Sequence, residues 1–156
     1  MSRYFALTAA LALATPTIAH ADVAVEAPIR TMVAAFNKGD VALAKTTHVA
    51  SPMILDEPTA PYAWGGPTAF DDWIAALAKS EAASGKTDGQ VAIGPVTRES
   101  VEGNHAYLIF PSTYTFKQKG KTMRETGSMT FALVKQGADW KISAWTWSSP
   151  EAVPVG

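Results

Sequence analysis

Residues 129–148 read MTFALVKQGADWKISAWTWS, and the interpretation of the rest of the sequence starts from them. Met129, Phe131 and Leu133 alternate with small or polar residues over its first half. Alternation with a period of two among aromatic and aliphatic residues is typical of a strand with one buried face. The turn-forming residues 136–139 (QGAD) interrupt the pattern, which then resumes. The stretch therefore predicts an antiparallel β-hairpin.

The second strand of this hairpin changes its pattern part-way. Trp140 and Ile142 share one register, whereas Trp145 and Trp147 fall on the other. Two arrangements explain the change: a β-bulge near Ala144, or a strand that is buried on both faces. The change of parity predicts that the last two tryptophans point away from Trp140 and Ile142. Two indoles at this spacing form a wall about 7 Å long, either in the core or lining an apolar pocket.

The hairpin completes a predicted meander of four strands. Its own strands span residues 121–135 and 139–148, and strands over residues 91–101 and 105–117 precede it. A Gly-Pro pair interrupts the first of these, as is common in an edge strand or at a bulge. Residues 80–89 are polar and are interpreted as an exposed connection.

The first half of the chain has helical periodicity. Two stripes of apolar residues at spacings of three and four predict two helices, the second opened by Pro67. Between them, a shorter helix capped by Asp40 ends near Thr47, and a short strand follows over residues 53–56. Helices that precede a run of strands predict an α+β fold. The stripes are Ile29, Met32, Val33 and Phe36, and Phe70, Trp73, Ile74 and Leu77.

The N-terminal residues 1–21 have the three regions of a secretory signal peptide. Arg3 supplies the positive charge, residues 4–14 are an uncharged apolar run, and residues 19–21 (AHA) form a small-x-small cleavage site. We expect cleavage between Ala21 and Asp22 and a periplasmic or secreted protein. The apolar run is too short to cross a bilayer as a helix, so no membrane span is predicted after cleavage.

The remaining residues 22–156 have the length of a single domain, with a core over about residues 25–148. The formal net charge of −1 provides no basic surplus for nucleic acid. The chain has no cysteine, which excludes disulfides, thiolate nucleophiles and sulfur-ligated metals. The two histidines beyond residue 21 lack metal-ligand spacing, so the sequence predicts neither a metal site nor a cofactor.

The order of these elements resembles the cone fold of the nuclear-transport-factor-like superfamily. That superfamily includes SnoaL-like polyketide cyclases, scytalone dehydratase and ketosteroid isomerase. The resemblance covers residues 25–148 and implies a curved antiparallel sheet, a four-strand meander plus a short strand, packed against three N-terminal helices around a conical apolar pocket. It rests on FNKGD at 36–40, TYTFKQKGK at 113–121, ETGSMTFALVK at 125–135 and DWKISAWTWS at 139–148.

Two acidic residues are the candidates for catalysis. Asp56 ends the short strand beside a loop rich in Pro and Gly. It is either a general base whose pKa is raised by burial or a carboxylate that caps the loop. Glu125 falls on the apolar register of Met129, unless a bulge at Gly127 turns it outward. A carboxylate on an apolar face is costly unless it is paired or protonated.

Aromatic residues are the candidates for the wall of a pocket, although at strand spacing they also fit an ordinary core. An indole in the loop over residues 57–66 is harder to explain by core packing. His48 follows the short helix and is interpreted as a cation at its C-terminus rather than as an acid or base. The aromatic candidates are Tyr62, Trp64, Tyr107, Tyr114, Trp145 and Trp147.

Three functions fit the sequence. The first is a domain that binds a small apolar or aromatic molecule in a conical pocket without chemistry. The second is a cofactor-free isomerase, cyclase or dehydratase, with Asp56 as the base and a tyrosine or Glu125 stabilising the oxyanion. The third is an interaction domain that forms a homodimer through its sheet, which sedimentation would detect. An apolar cavity holding two or more buried polar groups would favour the enzyme.

Overall fold

The computed structural model describes residues 23–155, and the predicted signal peptide with its cleavage site lies outside them. Three helices and eight strands make up this part of the chain. The helices are α1 (Val23–Asn37), α2 (Val41–Thr46) and α3 (Ala69–Ser84). The strands are β1 (His48–Asp56), β2 (Ala63–Gly65), β3 (Lys86–Ile93), β4 (Arg98–Glu102), β5 (His105–Gln118), β6 (Lys121–Gln136), β7 (Asp139–Ser148) and β8 (Val153–Pro154).

The strands form one curved, mixed sheet in the order β2-β1-β7-β6-β5-β3. In addition, β4 pairs with β5 beside β3, and β8 pairs with β6. The predicted α+β fold is confirmed, and β3, β5, β6 and β7 form the predicted meander. The single strand expected over residues 91–101 is wrong, because this segment is divided between β3 and β4. The sheet is not wholly antiparallel as predicted, because β1 runs parallel to β7. A strand that pairs with a partner some 90 residues away leaves no turn signal in the sequence from which its direction could be predicted.

Helix α3 is longer than its apolar stripe indicated, and the prediction of an exposed connection over residues 80–89 is wrong. The helix continues to Ser84, and Gly85 ends it in the left-handed conformation with φ 69°. Strand β3 then starts at once with Lys86. Residues 82, 83, 87 and 88 are exposed on the outer side of the helix and the edge strand, which explains why the segment resembled a loop.

The change of pattern in β7 is a bulge, as one of the two predicted arrangements required. Ala132 pairs with Ala144 while Leu133 pairs with Ile142, so Ser143 is an extra residue in the ladder. This shift of one residue returns the following tryptophans, Trp145 and Trp147, to the face of Ile142, and all three are buried. The prediction that they point away from Ile142 is therefore wrong.

The core lies between the concave face of the sheet and helices α1 and α3. Ile29, Met32, Phe70 and Trp73 from the predicted stripes are buried there, and the remaining stripe residues are at least partly buried. Asn37 fastens the end of α1 to β3, since its side chain donates to the carbonyl of Val91 at 2.8 Å and accepts from its amide at 2.8 Å. These contacts join the C-terminal end of α1 to β3.

No helix within residues 23–155 is both long and apolar enough to cross a membrane.

Candidate active site

A cavity opens between the concave face of the sheet and helices α1 and α3. Its walls are mostly apolar, and the space within it that the centres of water molecules can occupy is about 80 Å³. A single water needs roughly 10–15 Å³ of such space, so the cavity has room for several waters or a small organic group. The aromatic part of its wall consists of Phe36, Phe70, Trp73, Tyr114, Trp145 and Trp147.

Asp56 reaches this cavity from the last position of β1, opposite Trp147 on β7. It is 5% exposed, and its Oδ2 accepts a hydrogen bond from Nε1 of Trp73 at 2.9 Å. Burial raises the pKa of its carboxyl group above the usual 3.8, although hydrogen bonds from Trp73 and Thr59 oppose the shift. The direction of the shift is the one expected from the sequence.

Glu125 enters the cavity from β6, directly opposite Tyr114 on β5. Its Oε1 accepts from Nζ of Lys86 at 3.1 Å, whereas its buried Oε2 has no hydrogen-bond partner among residues 23–155. The pairing of β5 with β6 runs through Gly127 without a bulge, so Glu125 keeps the inward register. A Cβ at Gly127 would lie 2.0 Å from the carbonyl oxygen of Ser148, which is why this position takes glycine.

Lys86 is the basic residue of the cavity wall, and sequence reasoning missed it. Its ammonium group pairs with Glu125 and lies 4.3 Å from the ring centroid of Phe116. Strand β3 has a bulge between Thr87 and Gln90, so counting by twos back from Val91 places Lys86 on the wrong face of the sheet. The proximity of Glu125 raises the pKa of Asp56 and the proximity of Lys86 lowers it, so both charges act on this carboxyl group.

Tyr114 is held in the cavity wall by Glu81 of α3, whose carboxylate accepts a hydrogen bond from the phenol. Burial, followed by this bond, raises the pKa of Tyr114 well above its usual range, so the phenol stays protonated. Gly89 leaves the space for this arrangement, because a Cβ there would lie 2.1 Å from the phenol oxygen. Glu81 is another member of the site that its place in a polar helical segment concealed.

Comparison with known proteins gives no match by sequence: no family model matches the chain, and no curated protein does. Solved structures do match. A hexachlorocyclohexane dehydrochlorinase, LinA-type3, from Novosphingobium barchaimii superposes with a TM-score of 0.71 at 11% identity, covering 85% of this chain and 88% of that one. A nuclear transport factor 2 (NTF2-like) superfamily protein from Salmonella enterica serovar Typhimurium superposes with a TM-score of 0.65 at 18% identity, covering 81% and 89%.

The chain has the NTF2-like fold. A ketosteroid isomerase-like protein from Erwinia carotovora is similar as well, with a TM-score of 0.63 at 16% identity over 83% of this chain and 95% of that one. The resemblance drawn from the order of elements is thus confirmed at the level of the fold. The identities are too low to carry any activity across, so the function has to be argued from the cavity itself.

The NTF2-like sheet brings five of the eight predicted site residues to the cavity. These are Asp56, Tyr114, Glu125, Trp145 and Trp147. The other three lie elsewhere, contrary to the prediction that they form the pocket wall.

Each of the three misplaced aromatic residues has a local reason for its position. Tyr62 is 59% exposed in the turn before β2. Tyr107 is 43% exposed, because on β5 it alternates with the buried Leu108 and faces outward. Trp64 belongs to β2 rather than to a loop, pairs with Ile54 of β1 and packs in the core.

His48 is not a surface cation, so that interpretation is wrong. Its ring is buried, Nδ1 lies 3.1 Å from the carbonyl oxygen of Ala44, and Nε2 lies 3.1 Å from Nε1 of Trp145. Since the indole can only donate, Nε2 accepts and Nδ1 carries the proton. Burial lowers the pKa of His48 to about 4, and the neutral ring accepts a hydrogen bond from Trp145, which lines the cavity.

This buried histidine predicts an acid-sensitive fold. The pKa of His48 falls from 6.5 to about 4 on folding, so the unfolded chain takes up its proton first as the pH drops. About 3 kcal/mol of the free energy of unfolding, fully present above pH 6.5, should be lost as the pH falls to about 4. Urea unfolding at a series of pH values measures it.

The matched control is His48→Gln, which keeps an acceptor for Trp145 but does not titrate. The raised pKa of Asp56 makes the free energy of unfolding increase as the pH falls, but it does so in the wild-type protein and in the variant alike. The difference between their pH profiles therefore reports on His48 alone. Equal pH dependence of the two proteins between pH 6.5 and pH 4 would contradict a neutral, buried His48.

Among residues 23–155 no group of three histidine, aspartate or glutamate side chains has the geometry of a metal site.

Proposed function

We propose that this protein is a cofactor-free enzyme that removes a proton from a small, largely apolar organic molecule, with Asp56 as the general base. The observation that carries the proposal is a buried carboxyl group, its pKa raised, facing an apolar cavity that also holds two further acids, Glu81 and Glu125, and a lysine. Titratable groups with perturbed pKa values in a cleft are typical of catalytic sites.

The environment of Asp56 suits a base. Apolar walls make its carboxylate more basic than in water, because burial penalises the charged form. A base is most effective when its pKa lies nearer the working pH. The hydrogen bond from the Trp73 indole fixes the orientation of the carboxylate and occupies only Oδ2. A carboxylate has about four acceptor sites, so the hydrogen bonds from Trp73 and Thr59 leave Asp56 able to take a proton from a bound molecule.

Such a reaction also requires a group that stabilises the negative charge developing on the substrate as its proton is removed. Lys86 fits this role. Its ammonium group has three donors, and Glu125 uses one of them. The sequence had suggested a tyrosine or Glu125 for this role. The hydroxyl of Tyr114 already donates to Glu81, and a carboxylate such as Glu125 can donate only when protonated, so Lys86 is the better candidate.

Similar structures support this type of chemistry without specifying the reaction. One is a dehydrochlorinase and another is ketosteroid isomerase-like, and each is similar to this chain over more than four fifths of its length. Binding without chemistry is the second candidate. It is favoured by the hydrogen bonds that already engage Asp56 and Tyr114, since a purely structural polar cluster would make them too.

A general proton-transfer probe separates the two candidates. In 5-nitrobenzisoxazole a base removes the proton from carbon 3, the N–O bond breaks, and the oxygen leaves as a coloured phenolate. We expect saturable acceleration over buffer, with a rate that rises with pH and levels off above the pKa of Asp56. The expected rise follows from the need for the ionised carboxylate. A rate no faster than that of buffer would overturn the proposed chemistry.

A further inference from the structure

We propose that the molecule bound in this cavity carries a positive charge, so that the ligand is a small apolar ammonium compound such as an aralkylamine. The inference rests on the proposed function in one respect only, which is that this cavity is the binding site. It goes beyond the proposed function by specifying the chemical class of the ligand.

The first observation is the balance of charges on the cavity wall. Asp56, Glu81 and Glu125 supply three carboxyl groups to the cavity wall, and among residues 23–155 Lys86 supplies its one ammonium group. Ionised acids in apolar surroundings are costly unless a positive charge accompanies them. One lysine cannot neutralise three carboxylates, so an additional cation would stabilise the site.

The second observation is an unused acceptor. Glu125 is 5% exposed, yet its Oε2 has no hydrogen-bond partner among residues 23–155. A buried carboxylate oxygen without a donor is rare and costs free energy comparable to a lost hydrogen bond. Lys86 is drawn to the other side of the carboxylate, because it pairs with Oε1 and lies over the ring of Phe116. A ligand N–H group would supply the missing donor.

The third observation is the aromatic wall that surrounds these acids. Trp73, Trp145 and Trp147 line the same cavity as Glu125, and the rings of the first two lie 4.8 Å apart in an edge-to-face arrangement. Indole faces attract cations, and apolar walls bind the hydrocarbon part of a ligand. An ammonium group on a short aromatic or aliphatic frame therefore complements both features of the cavity.

The test uses three probes of the same size that differ in charge: protonated benzylamine, neutral benzyl alcohol and anionic benzoate. Isothermal calorimetry with the full chain at neutral pH measures their affinities. We expect benzylamine to bind at least about tenfold more tightly than benzyl alcohol, which is the effect of one charge-assisted hydrogen bond. Benzoate should be the weakest of the three.

Glu125→Gln keeps the shape of the side chain and removes its charge. It should abolish the preference for benzylamine over benzyl alcohol, whereas Glu102→Gln on the exposed end of β4 should keep it. Equal binding of the two probes to the wild-type protein, or an unchanged preference in Glu125→Gln, would overturn the inference. These outcomes do not depend on turnover of 5-nitrobenzisoxazole. Binding without turnover would contradict only the proposed function, and turnover without the preference would contradict only the cationic ligand.

Discussion

Asp56→Asn is expected to slow the elimination of 5-nitrobenzisoxazole by about 100-fold or more, the usual contribution of a positioned general base. Asparagine has nearly the same shape, and its amide oxygen can still accept the hydrogen bond from Trp73. The substitution removes a buried charge, so the domain should remain folded and should lose none of its stability. Rates at several pH values and a urea unfolding curve of the variant measure both effects.

Asp72→Asn is the matched control, since Asp72 is exposed in the first turn of α3. It should leave the rate and its pH dependence unchanged. If Asp56→Asn folds like the wild-type protein and retains most of the rate, Asp56 is not the base, and the carboxyl group is a structural feature of the core.

Trp73→Ala is expected to lower the free energy of unfolding by about 3–5 kcal/mol, the range for large buried aromatic residues. Trp73 is 6% exposed, packs on Trp145 and Phe70, and donates the hydrogen bond to Asp56. Its loss removes ring contacts and leaves a buried carboxyl group with one donor fewer. Equilibrium unfolding in urea, followed by far-ultraviolet circular dichroism, gives the value.

Two further variants refine this prediction. Trp140→Ala, at the half-buried start of β7, should cost clearly less than Trp73→Ala. Trp73→Phe keeps most of the ring and deletes only the donor, so it should raise the pKa of Asp56 further. A loss below about 1 kcal/mol for Trp73→Ala, the level of ordinary surface substitutions, would show that this ring does not support the cavity.

The local parts of the fold could be predicted because they leave periodic patterns. The stripes around Met32 and Trp73 and the alternation of Phe131 and Leu133 describe faces of single helices and strands, which depend only on neighbours in sequence. The parallel pairing of β1 with β7 could not be predicted, because it joins Ile54 to Trp145 across most of the domain. Such a contact depends on tertiary packing, which no short window contains.

Two members of the site could be predicted from local features, Asp56 from its place at the end of a short strand and Glu125 from the parity of its strand. Counting by twos from Met129 places Glu125 on the inner face, and the structure agrees because that ladder has no bulge. Lys86 was missed because the polar residues 80–89 were interpreted as an exposed connection, and an extra residue in β3 also shifts its register relative to Val91. Glu81 was missed for a similar reason, since a polar helix end and an exposed loop have the same composition. The cavity is formed by side chains from different helices and strands, and their proximity cannot be inferred from a pattern within a single element.

The most direct test of the account is the pKa of Asp56 itself. The side-chain carboxyl carbon of Asp56, assigned by its absence from the spectrum of Asp56→Asn, can be titrated by ¹³C nuclear magnetic resonance. The account predicts a midpoint above the ordinary value of 3.8, because apolar walls surround the carboxylate. A midpoint at or below 3.8 would show that the hydrogen bonds from Trp73 and Thr59 outweigh burial, and would contradict a buried base in this cavity.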